Sequence, residues 1–428
     1  MHDRSRAAEG AVVGVFGDGE PLQRLRLGLS ALRHRGADED GVVLATESGL
    51  SREPLGDRPA TAGVGSSRRP RLGVGPAIAT LGGEELALAW DGGLVNAEQI
   101  WAERSAQGGL WRRGGDEELV LQLMAASPRN TLVNRWVDAL GELQGGFAAL
   151  LLTRERMLAA RDPLGLRPLF VGRLAAGWAV ASEQPALERL GARACRELDP
   201  GELLIVDRSG VVRLSPWPKR PARPCAVELG RRARPDGSLG GQALASVRRG
   251  IIERLAQDAP AVDAVSALFE EDWGAAAILG AVMGAPVTPV GVTLPGGEWV
   301  ALPTACAGRR LLLVTDPERP AESIPPRLRA LRRAGATALH LRLTWPVAVA
   351  PCSFGGRALD ARRAAPEDLG DPARLDVESL GGVSAATLGE LLPDPCLACF
   401  GEAPPLTAAS ATAAGQLPLF QSAGAEEV

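Results

Sequence analysis

Apolar residues in the first half of the chain switch repeatedly between strand-like and helix-like spacing. Val12 to Phe16 is a short β-branched and apolar run ending at Gly17, which predicts a buried strand. Leu22, Leu25, Leu29 and Leu32 then recur at helical spacing, and the pattern stops before Gly36. Residues 50–72, rich in Gly, Pro, Ser and Arg, read as loop. Further apolar runs predict strands at Leu86–Ala89, Phe147–Leu152, Met157–Ala160, Leu169–Val171, Trp178–Ala181 and Leu203–Val206, with helices over 94–105 and 117–125. Many short strands with few helices imply a layered α+β domain over residues 1–213.

The proline-rich, basic stretch 215–224 reads as a linker, and the rhythm changes after it. The pattern predicts helices over 241–256, 273–283 and 325–334, and strands over 262–268, 287–292, 310–315 and 337–343. Strands alternating with helices imply an α/β domain on a parallel, doubly wound sheet, here 225–401. Residues 402–428, dominated by Ala, Pro and Ser, have the composition of a disordered tail.

Composition fits this picture. The chain has 428 residues, 46% hydrophobic and 23% charged, enough for two soluble domains. A net charge of -4 gives no electrostatic reason to expect nucleic acid or a membrane surface as partner. No apolar run approaches the roughly 20 residues of a spanning helix, and the charged N-terminus lacks a signal-type core, so the expectation is cytoplasmic. In a reducing compartment the six cysteines are thiols or metal ligands rather than disulfides.

Several segments in register resemble one family. GAVVGVFG (10–17), LGLSALRHRGADEDGVV (27–43) and LALAWDGGLVNAEQI (86–100) resemble class II glutamine amidotransferases, as do RDPLGLRPLFVGR (161–173) and ASEQPAL (181–187). RARPDGS (232–238) and DPCLACF (394–400) narrow the resemblance to the amidophosphoribosyltransferases. It implies an N-terminal-nucleophile (αββα) glutaminase-like domain followed by a type I phosphoribosyltransferase-like domain. In working members glutamine yields ammonia, which attacks phosphoribosylpyrophosphate (PRPP).

Residue by residue, the resemblance implies lost chemistry. The nucleophilic cysteine, which uses its own α-amine as base, is replaced by Gly10, so no catalytic residue is expected in the glutaminase half. The family's H-N-G-N oxyanion loop reads Trp90-Asp91-Gly92-Gly93, placing a carboxylate where an amide should donate. The segment that supplies an arginine for glutamine's carboxylate reads Gly75-Pro76-Ala77-Ile78-Ala79-Thr80, without a cation. Asp116, matching the acid that holds the α-amino group, and Gly92 survive as residual substrate-site residues; a capping role is the competing reading for Asp116. His34-Arg35-Gly36 is expected to serve packing or a turn, and an internal Arg–Asp pair is expected to pin the turns around Arg161-Asp162 and Arg167.

In the second domain the strand before the PRPP loop survives, but the loop itself reads Thr315-Asp316-Pro317-Glu318-Arg319-Pro320. Asp316 is the one residual acid of the ribose-binding pair. The pyrophosphate-side loop becomes Leu268-Phe269-Glu270-Glu271-Asp272, and the basic closing loop becomes 294–299, without a cation. The acids read as a solvated loop, or alternatively as a new cation site with Asp316. Mg²⁺ is implied only if PRPP binding persists.

Cys225, Cys352, Cys396 and Cys399 match the family's ligands for a structural 4Fe–4S cluster. Four thiolates, two in a C-x-x-C, also suit zinc. Cys195 and Cys306 have no such match and are expected in the core. The leading expectation is a pseudoenzyme, acting as scaffold or regulatory partner, assembled with itself or with an intact amidophosphoribosyltransferase. The alternatives are ammonia-dependent PRPP amination and an iron–sulfur sensor.

Overall fold

The structure, a computed structural model, describes residues 10–17, 19–35, 39–52, 60–68, 75–108, 111, 113–317, 319, 321–350, 352, 354 and 371–406. The expected tail therefore lies outside the described residues, apart from its first few positions, and so does Gly36. The chain divides into two compact units. Residues up to Leu244, with Cys352 and Phe354, belong to the first; residues 245–350 and 371–403 form the second.

In the first unit, thirteen strands among the described residues make two antiparallel sheets. In chain order they are β1 (Ala11–Phe16), β2 (Glu39–Thr46), β3 (Gly49–Arg52), β4 (Ala60–Arg68), β5 (Ala77–Leu81), β6 (Glu84–Leu94) and β7 (Gly145–Leu152), followed by β8 (Arg156–Arg161), β9 (Phe170–Leu174), β10 (Gly177–Ala181), β11 (Arg193–Glu197), β12 (Leu203–Asp207) and β13 (Gly210–Leu214). One sheet runs β11-β9-β10-β1-β4-β2-β3, the other β13-β12-β8-β7-β6-β5. Alternation decides what lies between them. Val12, Phe16, Val64, Ala87, Ala89, Leu150 and Met157 point inward and make one core between the sheets. The opposite face of β6 and β7 (Leu86, Leu88, Trp90, Phe147, Ala149) packs on the helices α2 (Ala97–Ala106), α3 (Asp116–Ala126) and α4 (Leu132–Gly141). Helix α1 (Pro21–Ala31) covers the first sheet, bringing Leu25 and Leu29 against Gly63 and Gly65 of β4. The result is the four-layered αββα arrangement.

The loop expected over 50–72 is corrected here: 60–68 is β4, hydrogen-bonded between β1 and β2 in the middle of its sheet. Its Ala, Gly and Ser residues lack the apolar bulk by which a strand is recognised. Their smallness is required, because a Cβ on Gly63 would lie 2.5 Å from Leu44 Cδ2 and 2.7 Å from Leu25 Cδ1.

After the short hairpin β14 (Ser238–Leu239) and β15 (Gln242–Ala243), the second unit takes up with helix α6 (Leu244–Leu255), which follows α5 (Gln184–Arg189) in the chain. Its sheet is parallel throughout, in the order β16 (Ala264–Ala267), β19 (Arg310–Thr315), β20 (Ala338–Leu343) and β21 (Ser379–Gly382). Helices α7 (Trp273–Met283) and α9 (Ile324–Arg333), with the single turn α8 (Pro303–Cys306) between them, fall within a residue of the sequence expectation. The strand expected at 287–292 is an isolated bridge at Val287 followed by an antiparallel hairpin, β17 (Gly291–Thr293) with β18 (Trp299–Ala301). Among the described residues no helix is long and apolar enough to cross a membrane.

Candidate functional site

Gly10 stands at the start of β1, and a Cβ there would meet Ser67 O at 3.2 Å, Asp91 Oδ1 at 3.5 Å and Trp90 O at 3.7 Å. Position 10 and Asp91 therefore face each other across the gap between the sheets. Gly92 is required by close approach: its φ is +152°, and a Cβ would strike Gly146 O at 2.1 Å. Trp90 is fixed next door by stacking on Phe147, with ring centroids 4.9 Å apart.

Arg35, at the end of a short 3₁₀ turn and 1% exposed, fills this end of the gap. Its Nη1 donates to Glu183 Oε1 at 2.8 Å and to Glu228 Oε2 at 2.9 Å. Its Nη2 donates to Glu228 Oε1 at 2.8 Å and Asp91 Oδ2 at 3.3 Å, and Nε donates to the Gly10 carbonyl at 3.3 Å. A guanidinium has five N–H groups, so the fork is fully used. Glu228 Oε1 also accepts from Arg167 Nη1 at 2.9 Å and lies 3.5 Å from Arg232 Nη1. His34 Nε2 sits 2.8 Å from Glu183 Oε1. Three arginines (35, 167, 232) meet three carboxylates (91, 183, 228), so the formal charges cancel, 3 − 3 = 0.

Cancellation decides the ionisation states. Burial alone would push the Glu228 carboxyl up, but Arg35, Arg232 and Arg167 outweigh it and hold it far below the usual carboxylate range. Glu183 is likewise held low against burial by the His34 hydrogen bond and the Arg35 charge. Arg35 and Arg167 are raised despite burial because carboxylates face them, whereas burial lowers Arg232. Asp91 Oδ1 is buried without a hydrogen-bond partner among the described residues.

Asp116 heads helix α3, whose first turn carries three acids, and its Oδ2 accepts from the Leu94 amide at 3.2 Å. At the turns the Arg161 charge acts on Asp162, as expected, but the hydrogen bonds of the two side chains go elsewhere. Asp162 accepts the amides of Leu164, Leu166 and Arg167, while Arg161 donates to the Arg167 and Gly165 carbonyls and to Glu197. Backbone groups trapped in a buried turn take these side chains first, because leaving them unmade costs more than parting the pair. The Arg167 side chain is thereby left to reach Glu228. His34 and Arg35 are also more than turn residues, since the charges they meet come from three other segments.

At the carboxyl end of the parallel sheet, the acids expected to be solvated are partly neutralised. Arg319 Nη2 lies 3.2 Å from Glu271 Oε2 and 3.6 Å from Asp272 Oδ1. Arg327 lies 3.9 Å over the Phe269 ring and 5.1 Å from that of Trp299, and it donates to the Leu268 carbonyl. Asp272 is buried, and burial pushes its carboxyl up to about 6, helped by the Asp316 charge and opposed by Arg319.

None of the six cysteines is in a disulfide. In the first unit, Cys225 and Cys352 both contribute to the field at Arg167, and the Phe354 amide points at Cys352 Sγ at 3.4 Å. In the second, Cys396 is buried and the Cys399 carbonyl accepts the Val349 amide. Among the described residues no group of three or more Cys, His, Asp or Glu side chains is placed to hold a metal ion. Cys306 is in the core and Cys195 is half-buried.

Comparison with known proteins gives the lineage. Residues 72–189 match the glutamine amidotransferase domain. Amidophosphoribosyltransferase 3 of Arabidopsis thaliana, a chloroplastic protein, is 31% identical over 391 residues, covering 81% of this chain and 73% of the relative. The chain belongs to the amidophosphoribosyltransferase family. The amidophosphoribosyltransferase of Mycobacterium tuberculosis is 30% identical over 395 residues, covering 81% of the chain and 74% of its own length. The glutamine PRPP amidotransferase of B. subtilis, solved with ADP and GMP, superposes with a TM-score of 0.80 at 25% identity, over 93% of this chain and 98% of that one. The fold is therefore that of the family: a glutaminase-type αββα unit followed by a phosphoribosyltransferase-type unit.

Sequence reading missed Glu183, Glu228, Arg232 and Arg319 as partners. Glu183 stands inside the segment ASEQPAL, and Glu228 interrupts the apolar stretch Ala226-Val227-Glu228-Leu229 with Arg232 four positions on. An acid inside an apolar stretch is the signal that asks for a buried cation.

Proposed function

We propose that this chain is a non-catalytic amidophosphoribosyltransferase homologue of purine-biosynthetic ancestry, serving as a scaffold or regulatory partner. The observation that carries the reading is the occupied Arg35 fork. At the position that the resemblance gives to the oxyanion donor stands Asp91, wholly buried and paired with Arg35, and the same arginine binds the carbonyl of Gly10 in the nucleophile's place. A glycine offers no atom to attack an amide. A carboxylate beside a developing oxyanion adds like charge where catalysis needs a donor. Asp116, Gly92 and Asp316 are on this reading inherited positions without a reaction.

On this reading the functional division is 1–213 and 225–401, with residues 225–244 packed in the first compact unit. A self-assembly or a complex with an intact relative, in the cytoplasm, is where a scaffold would act. The thiols of Cys225, Cys352, Cys396 and Cys399 suit a structural 4Fe–4S cluster by donor chemistry, while the described residues gather no set of three. Such a cluster would cross-link distant segments and has no part in a reaction. Iron, sulfide and zinc counts on anaerobically purified protein decide its presence.

The test of the main reading is assay of glutamine hydrolysis and of PRPP amination with free ammonia, with calorimetric titration of PRPP and Mg²⁺. Rates at the buffer level and no PRPP heat are expected. Phosphoribosylamine formed by the wild type and abolished by Asp316→Ala would overturn it.

A further inference from the structure

The two antiparallel sheets of the first unit end in the outer strands β3, β5, β11 and β13, and all but β5 are guarded. β3 ends on Arg52, and β13 carries Arg213. β11 carries Arg193, Arg196 and Glu197 and breaks register between the two arginines. Charges and irregularities of this kind keep a strand edge from pairing with another chain. β5 has neither. Ala77-Ile78-Ala79-Thr80-Leu81 holds no charge, and its register runs unbroken from Ala77 opposite Leu88 to Leu81 opposite Glu84. β6 lies on one side of it, and on the other no strand lies among the described residues. Ile78 is 39% exposed, and Thr80 is exposed as well.

The two ends of β5 differ in charge. Arg52 Nη2 donates to the Pro76 carbonyl at 2.7 Å, so an exposed guanidinium stands at the start of the strand. Past its end, beyond Gly82 and Gly83, Glu84 is exposed. An antiparallel neighbour brings start against end, so a second copy related by a twofold axis sets Arg52 beside Glu84 twice. A parallel copy would set like charges together. The edge is thus complementary to itself in one orientation.

We propose that two copies of this chain pair antiparallel through β5, joining their β5-edged sheets into one continuous sheet. Strand addition supplies backbone hydrogen bonds that a free edge leaves to water. Each copy offers one such edge, so the pairing closes at two. It gives the self-assembly of the scaffold reading a surface, and it does not depend on the loss of catalysis.

Sedimentation equilibrium of the full chain tests it, with amide hydrogen exchange followed at low and high concentration. A reversible association over roughly 1–100 µM is expected, the range of a small interface, with slowed exchange at 77–81 in the associated form. Ile78→Lys puts a charge on the edge and should raise the dissociation constant at least about tenfold. Glu84→Arg should do the same by setting like charges together, and Arg52→Glu added to it should restore association. Circular dichroism checks each fold; Glu84→Arg, at an exposed strand end, serves if Ile78→Lys does not fold. A chain that stays monomeric to about 100 µM overturns the proposal. An assembly that neither variant weakens, or that leaves exchange at 77–81 unchanged, also overturns it and leaves the scaffold reading a different surface.

Discussion

Both oxygens of Glu228 accept from the guanidinium of Arg35, at 2.9 and 2.8 Å, across 193 positions of chain. This two-pronged pair joins the turn after α1 to the π-helical turn Glu228–Arg232 that comes after the proline-rich stretch. Five donors and four acceptor groups close on one another, so the end of the inter-sheet gap is stable without any bound substrate. Once buried, each charged residue of the network is required by the others, whatever the chemistry of the site.

Breaking that mutual requirement should be costly. Arg35→Met keeps the apolar stem but leaves three buried carboxylates short of a cation. A loss of about 3–5 kcal/mol is expected, lowering the melting temperature of the first unit by roughly 10 °C. Arg35→Lys should recover only part of it, because an ammonium cannot match both Glu228 oxygens in a plane. Differential scanning calorimetry measures both; a shift under about 2 °C for Arg35→Met would remove the network from the account of stability.

The two units should respond to pH with opposite sign. Glu183 and Glu228 are held below their ordinary 4.5, so their contribution is complete above that value and is lost as pH falls through their folded values. Asp272 is raised from 3.8 to about 6, so its contribution is present at low pH and is lost as pH rises through that window. Between about pH 7 and 5 the second unit should gain stability, and below pH 4.5 the first should lose it. Asp272→Asn should abolish the gain. Melting at half-unit pH steps reads both, and a second unit insensitive across that window would contradict the buried, raised carboxyl.

Fold was far more legible than site. The apolar runs at β1, β7 and β8 and the periodic stretches of α1, α7 and α9 carry their own structure, because burial acts on each side chain locally. β4 was not legible, since its residues are chosen for what they leave room for. The site was half legible. Gly10 and Asp91 were visible as departures from a pattern, but Arg35, Glu183, Glu228 and Arg167 come from four segments, and only folding brings them together. Buried charges announce that a partner exists without naming it. The turn at Asp162 shows the same limit: the neighbouring Arg161 acts on it through charge, while its hydrogen bonds go to buried backbone amides that the sequence does not single out.

Gly63 offers a test of the packing of β4. Its Cβ position falls 2.5 Å from Leu44 Cδ2 and 3.0 Å from the Val43 carbonyl, so Gly63→Val must displace both α1 and β2. Overpacking of this kind costs about 1–3 kcal/mol. Gly82, with open space around it and φ +61°, is the control: Gly82→Asn should be nearly neutral because asparagine tolerates that conformation. Chemical denaturation compares the two; equal effects would mean that β4 is not held between its neighbours as described.

Position 10 gives the sharpest prediction about chemistry. A Cβ there would meet the Ser67 carbonyl at 3.2 Å, a tight contact with strand backbone, so Gly10→Cys should fold at a modest cost in stability. The thiol would nonetheless lie beside Asp91, whose nearer oxygen is 3.5 Å from the new Cβ, and a neighbouring carboxylate disfavours the thiolate. On the proposed reading the oxyanion donor would still be missing, and the cation that could offset the charge is paired with Glu183, Glu228 and Asp91. Gly10→Cys should therefore release no glutamate from glutamine above the buffer rate. Adding Asp91→Asn removes the opposing charge and restores an amide, and starting the chain at position 10 frees the α-amine that serves as base, so any activity that can be recovered should need all three changes together. Glutamate release by Gly10→Cys alone would show that neither Asp91 nor its pairing with Arg35 disables the site.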